Sequence, residues 1–255
     1  LPTVPTALVT GATAGLGHAF ASRLAALGHD LVLVSRDAAR LDATAADLRH
    51  RFGCQVEVLP ADLTDRDQCG GVAARLATPD RPVELLVNSA GHAVRTPLVA
   101  TPIEDEEALL DVHVRATLVL THAAVTTMVE RGSGGVINVS SVAGWLPRGS
   151  YSAHKAWVTT FSQAIARQVA PRGVRVMALA PGYMRTEFHG RAGIRTGSIP
   201  QLAWQDCDDV AADALRALEA GESVHVPGAG YRLAAAALRC VPFETMHRMQ
   251  RWRQR

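Results

Sequence analysis

The chain of 255 residues is long enough to bury a sizeable core, and 1–255 falls within the size range of one α/β domain. Its 26 basic and 24 acidic residues leave a net charge of +2, too little for a general nucleic-acid footprint, so a small-molecule partner is favoured. Cys54, Cys69, Cys207 and Cys240 lie far apart with no C-x-x-C pair, so neither a metal site nor a disulfide framework is expected, and a reducing, cytoplasmic setting fits.

Short β-branched or leucine-rich runs alternate with alanine-rich stretches of helical period. The pattern predicts strands near Ala7–Thr10, Leu31–Ser35, Gln55–Leu59, Val83–Asn88, Gly135–Ser140, Val174–Leu179 and Ser223–Val226. Helices are predicted over 15–28, 37–52, 65–77, 105–131, 150–170 and 207–220, with Asp37 and Asp65 as N-caps. Right-handed crossovers then give a single-domain Rossmann fold: a doubly wound, parallel, seven-stranded sheet of order 3-2-1-4-5-6-7 with helices on both faces. Gly190, Gly193, Gly197 and Pro200 punctuate 183–206, which is expected to be a flexible substrate loop. No apolar run is expected to span a membrane, and Leu1–Pro5 lacks the pattern of a signal peptide.

The first strand runs into Thr10-Gly11-Ala12-Thr13-Ala14-Gly15-Leu16-Gly17 and then a helix. Glycines there open a tight turn whose amides, with Thr13, Leu16 and the helix N-terminus, suit a pyrophosphate. After the second strand stands Arg36, with no acidic residue for a ribose diol. A guanidinium can hold a 2′-phosphate by two hydrogen bonds, so NADP is favoured over NAD, the alternative being a solvated surface arginine. Asp62 and Leu63 follow the third strand, and Asn88-Ser89-Ala90-Gly91 ends the fourth, both at the carboxyl edge where open α/β sheets bind ligands. Small residues at Ala90 and Gly91 let the backbone approach a ribose.

Tyr151-Ser152-Ala153-His154-Lys155 opens the helix after the fifth strand, and spacing of four places Tyr151 and Lys155 on one face. A phenol with a pKa of about 10 is a weak acid–base group at neutral pH, and an adjacent ammonium is expected to draw it into the working range. Ser141, at the end of the preceding strand, can polarise a carbonyl oxygen as charge develops.

Together, Thr10-Gly11-x-x-x-Gly15-x-Gly17, Asn88-Ser89-Ala90-Gly91, Ser141, Tyr151-x-x-x-Lys155 and Pro181-Gly182-x-x-x-Thr186 resemble the short-chain dehydrogenase/reductase family over residues 6 to about 228. The resemblance implies that Ser141 and Tyr151 bind the substrate oxygen, that Tyr151 is the acid or base, and that Lys155 also holds the nicotinamide ribose. It further implies that Pro181, Gly182 and Thr186 hold the nicotinamide end, and that the chain forms a homodimer or homotetramer through helices 105–131 and 150–170. The expected reaction interconverts a ketone, or a 3-oxoacyl-type carbonyl, and a secondary alcohol. A non-catalytic NADPH-binding sensor or scaffold is the alternative.

Three departures bear on the carry-over. Ser89 replaces a second asparagine, and Ser141 and Tyr151 stand closer in sequence than is usual in the family. His113, in Asp111-Val112-His113, takes the place of an asparagine that holds a water beside the active lysine; a packed core histidine is the alternative. His154 and His189 are candidates for substrate contact or ordinary surface residues. The basic tail at 231–255, with Arg248, Arg251, Arg253 and Arg255 among Met246, Met249 and Trp252, is expected to be a solvated helix rather than a membrane contact.

Overall fold

The computed structural model describes residues 4–93, 97–186 and 200–240. Strands β1 (Thr6–Thr10), β2 (Asp30–Ser35), β3 (Val56–Pro60), β4 (Leu85–Asn88), β5 (Gly134–Val139), β6 (Val174–Leu179) and β9 (Val224–His225) form one parallel sheet of order β3-β2-β1-β4-β5-β6-β9. This is the expected order, with β9 as the seventh strand. Two further short strands, β7 (Tyr183–Met184) and β8 (Trp204–Gln205), pair with each other in parallel.

Alternation along each strand feeds two cores. Ala7, Val9, Leu31 and Leu33 point to one face, covered by α1 (Gly15–Ala26), α2 (Ala38–Phe52) and α7 (Cys207–Glu219) through Phe20, Leu24, Leu41, Leu48 and Leu215. Leu8, Val32, Val34 and Leu86 point to the other, under α3 (Arg66–Leu76), α5 (Ala116–Arg131) and α6 (Gly149–Val169), with Cys69, Val72, Leu120 and Met128. Each leucine buried this way contributes about 1.5–3 kcal/mol of hydrophobic stabilisation.

Caps set the helix starts. Asp37 accepts from Arg40 N at 3.0 Å, and Asp65 accepts from the amides of Asp67 and Gln68, both at 2.9 Å. Asp206 does the same for α7. At α1, no side chain caps the helix and no acidic residue lies in the first turn, which leaves that N-terminus as an anion-facing set of amides.

The predicted helix 105–131 is longer and more complex. It starts as α4 (Ile103–Leu110), passes through a π turn at Asp111–Arg115 and continues as α5. Arg115 pins the turn by bonding Asp111 at 2.6 Å and the carbonyls of Leu63 and Thr64 at 3.2 and 2.7 Å. The run Ile103–Arg131 is long and apolar enough to cross a membrane by length and composition, which corrects the expectation that no such run exists. Of its most apolar window 44% is buried, with Leu120, Ala124 and Met128 packed beneath the sheet. Finally, the first part of the expected C-terminal tail belongs to a helix, α8 (Ala229–Cys240), which lies against the turn following β5. The rest of the tail, and 187–199 of the expected loop, lie outside the described residues.

Candidate active site

The register puts Thr10, Val34, Asn88, Asn138 and Ala178 in one transverse row, so the motifs beyond them share the carboxyl edge of the sheet. Between β1 and β4 the chain order reverses, and a crevice opens there.

The glycine turn forms the first wall. Gly11 and Gly15 have φ of 69° and 52°, a region that side chains disfavour. A Cβ on Gly11 would lie 2.9 Å from the Ala90 Cα, and one on Gly17 would run into the Gly11 carbonyl. A Cβ on Gly15 would lie 2.9 Å from Thr186 Cγ2, so Thr186 sits over the phosphate turn. Thr10 Oγ1 accepts from the amides of Ser89 and Ala90, both at 3.0 Å, tying the fourth-strand turn to the first. These are features of a cradle that lets a dinucleotide approach bare backbone, and they fit NADP or NAD.

At the adenosine end, Arg36 lies 3.8 Å from Asp62, with its side chain 65% exposed. An exposed pair of this kind is worth less than about 1 kcal/mol, so the guanidinium is readily recruited by a phosphate. Burial pushes the Asp62 carboxyl up, but hydrogen bonds from Thr64 and the charges of Arg36 and His92 outweigh it and hold the group below the usual range. The sequence reading missed Arg40. Its Nη2 donates to the Thr13 carbonyl at 3.4 Å, and Thr13 Oγ1 stands 3.2 Å from Ser35 Oγ, so a second cation borders the same corner. One turn beyond Arg36 on the capped face of α2, it was visible as helical spacing.

Asn88 turns inward. Its Nδ2 donates to Asn138 Oδ1 at 2.9 Å and to Thr121 Oγ1 at 3.3 Å, in a buried network that Ser162 completes. Its side chain therefore braces the strand end from below. Leu63 is buried, and its carbonyl serves Arg115.

At the centre, Ser140 and Ser141 diverge. Ser140 Oγ is buried and donates to the Lys155 carbonyl at 2.7 Å, whereas Ser141 caps the next turn and hydrogen-bonds Tyr151. Lys155 is buried, donates from Nζ to the Val139 carbonyl at 2.8 Å, and sits 5.7 Å from the centre of the Tyr151 ring. Burial pushes the Tyr151 phenol up to about 12 and Lys155 down to about 7. The expectation that the ammonium draws Tyr151 downward is thus corrected: the same burial that weakens the Lys155 charge favours the neutral phenol.

His113 is buried on the π turn. Its Nε2 donates to the His92 carbonyl at 2.6 Å, which leaves the lone pair on Nδ1. Burial, then the Lys155 charge, lower its pKa well below the ordinary value, so the ring is neutral. A Cβ on Gly91 would collide with this imidazole, so Gly91 makes room for His113 as well as for backbone approach.

The nicotinamide end is held from behind. Gly182 N donates to Gln205 Oε1 at 2.8 Å, the Tyr231 ring covers Gly182, and Tyr231 Oη accepts from Tyr183 N at 3.1 Å. Pro181 accepts from Val142 N at 3.1 Å. Gln205 and Tyr231 carried no motif in the sequence. Among the described residues no group of three metal-ligating side chains occurs, and His189 lies outside them.

Comparison with known proteins agrees with this geometry. The family model for short chain dehydrogenase matches residues 5–195. An uncharacterized oxidoreductase of Staphylococcus saprophyticus is 31% identical over 223 residues, covering 86% of this chain and 93% of that protein. A short-chain dehydrogenase from Sphingobium yanoikuyae, solved in complex with NADPH, superposes with a TM-score of 0.85 at 37% identity over 92% of each chain. The bulky-bulky ketone specific alcohol dehydrogenase from Comamonas testosteroni gives a TM-score of 0.79 at 29% identity, over 98% of this chain and 92% of that one. The chain belongs to the short-chain dehydrogenase family, and is an oxidoreductase of the alcohol/carbonyl pair.

Proposed function

We propose that the protein is an NADPH-dependent reductase converting a ketone to a secondary alcohol. The observation that carries this reading is the Tyr151 hydroxyl bonded to Ser141, with Lys155 on the same helical face beneath the glycine cradle. NADPH supplies a hydride to the carbonyl carbon. Ser141 orients and polarises the carbonyl oxygen, and Tyr151 delivers a proton to it; a phenol near 12 arrives protonated, which suits the acid role. Lys155 holds the ribose hydroxyls, and His113 holds a water behind it through Nδ1. Gly11, Thr13, Gly15, Leu16 and Gly17 take the pyrophosphate, Asp62, Leu63, Ala90 and Gly91 flank the adenosine, and Pro181, Gly182 and Thr186 take the nicotinamide. Arg36 and Arg40 favour the 2′-phosphate of NADP over NAD.

A bulky, apolar ketone suits the mouth. Leu98, Val99 and Ile103 are exposed along one lip, and Trp204 lies 6.0 Å from Tyr183 on the other. The name of the Comamonas structure points the same way. Exposed Leu110 and Leu118, with Trp157 stacked on Phe161, support a homodimer or homotetramer through α4–α5 and α6. The three described cysteines are free thiols, which supports a cytoplasmic setting. A panel of aliphatic, aromatic and 3-oxoacyl ketones, followed by NADPH and NADH absorbance, tests this reading. It expects turnover with NADPH, fastest for bulky apolar ketones.

A further inference from the structure

Tyr151 must regain a proton after every reduction, and its ring is half-buried among α6 and the π turn. Five buried side-chain atoms among the described residues lack a hydrogen-bond partner. Four of them, Glu106 Oε2, His113 Nδ1, Ser152 Oγ and His154 Nδ1, belong to α4, the π turn and the start of α6, three pieces of chain that pack on one another. Buried polar atoms are almost always satisfied, so a cluster of this kind marks a site for ordered water. The rings form a series: His113 meets Tyr151 edge-on at 5.5 Å, and His154 lies 6.2 Å from His113. With two hydrogen bonds of about 2.8 Å, one water spans such a gap between ring edges.

We propose that His113, His154 and Glu106 hold a water-bridged path that returns protons from solvent beside α4 to Tyr151. The proposal rests on the reductase reading above. After hydride reaches the carbonyl carbon and the Tyr151 proton reaches its oxygen, the phenolate takes a proton from the adjoining water. Each station passes one proton inward, so one solvent proton is consumed per alcohol formed and no further oxidant or reductant is needed. Both imidazoles are suited to this. Burial lowers His154 against the opposing Glu106 charge, with Lys155 lowering it further, so each neutral ring offers a lone pair and an N–H. The charged and titratable neighbours are Lys155 from α6 for both rings, His92 for His113, and Glu106 from α4 for His154. His154 and Glu106 act through Tyr151 and are positioning residues.

The test uses His154→Ala and Glu106→Gln in the full chain, with NADPH and the best ketone of the panel. Turnover should fall by about tenfold or more, on the scale of a lost proton-transfer step, with NADPH affinity and KM unchanged. The solvent deuterium isotope effect on kcat should rise, and imidazole buffer should restore rate to His154→Ala. Glu106→Gln should shift the acid limb of the pH–rate profile. Wild-type kcat and isotope effect in both variants, with Tyr151→Phe inactive, would overturn the path alone. An active Tyr151→Phe would overturn the reductase reading with it. A loss of rate in folded, NADPH-binding variants that buffer does not relieve would also overturn the path.

Discussion

The imidazole of His113 meets the phenol ring of Tyr151 edge-on, with centroids 5.5 Å apart and planes at 84°. One hydrogen bond, from Nε2 to the His92 carbonyl, fixes that orientation and the tautomer, so a single neutral ring stands between the acid and the interior.

His113→Asn should therefore keep much of the rate, because an amide can also donate to one group and accept from another. His113→Ala should slow turnover by about tenfold or more while NADPH affinity holds. Steady-state kinetics across neutral pH, with NADPH titrations on the same samples, check both; a folded alanine variant at the wild-type rate makes His113 a packing residue.

Cofactor choice should follow the two cations at the start of α2. Arg36→Asp removes a guanidinium and sets a carboxylate against the 2′-phosphate, so the ratio of kcat/KM for NADPH to that for NADH should fall by at least about 100-fold. Arg40→Ala should lower it less, since Arg40 also bonds the Thr13 carbonyl. An unchanged ratio returns Arg36 to a solvated surface role.

Much of this was legible in the sequence because it rests on local rules. Period-two runs in β1 to β6 and the Asp37 and Asp65 caps needed only neighbouring residues, and the chain order of the motifs sufficed to place the cradle. What escaped depends on tertiary contacts. The π turn exists because Arg115 reaches the carbonyls of Leu63 and Thr64, about fifty residues away in sequence. Gln205 and Tyr231 lock the Pro181–Gly182 turn across similar distances, and no spacing announces that. The electrostatics of Tyr151 were misjudged for the same reason. Helical spacing brings Lys155 close, but the depth that neutralises both groups is set by the packing of α6 on β5.

Stability should carry the signature of the buried lysine. Burial lowers Lys155 from 10.5 to about 7, so between those values the unfolded chain binds a proton the native chain does not. Unfolding free energy then rises with pH across that window: the cost of burial is fully present below about 7 and is relieved as pH approaches 10.5. Lys155→Met lacks this titration. Its stability relative to wild type should fall by up to about 1.4 kcal/mol per pH unit through the window, although its catalysis is lost. Urea unfolding of both proteins at neutral and mildly alkaline pH checks the sign, and a difference that does not change with pH contradicts it.

The central claim is that Tyr151 delivers the proton while the rest of the site binds and orients, and Tyr151→Phe tests it most directly. NADPH affinity, read by fluorescence titration, and turnover of the best ketone, read by NADPH absorbance, are measured on the same folded variant. The account predicts affinity within about twofold of wild type and a rate lower by about 1,000-fold, the scale of a lost general acid. A phenylalanine variant that binds NADPH and reduces the ketone within about tenfold of the wild-type rate would contradict it.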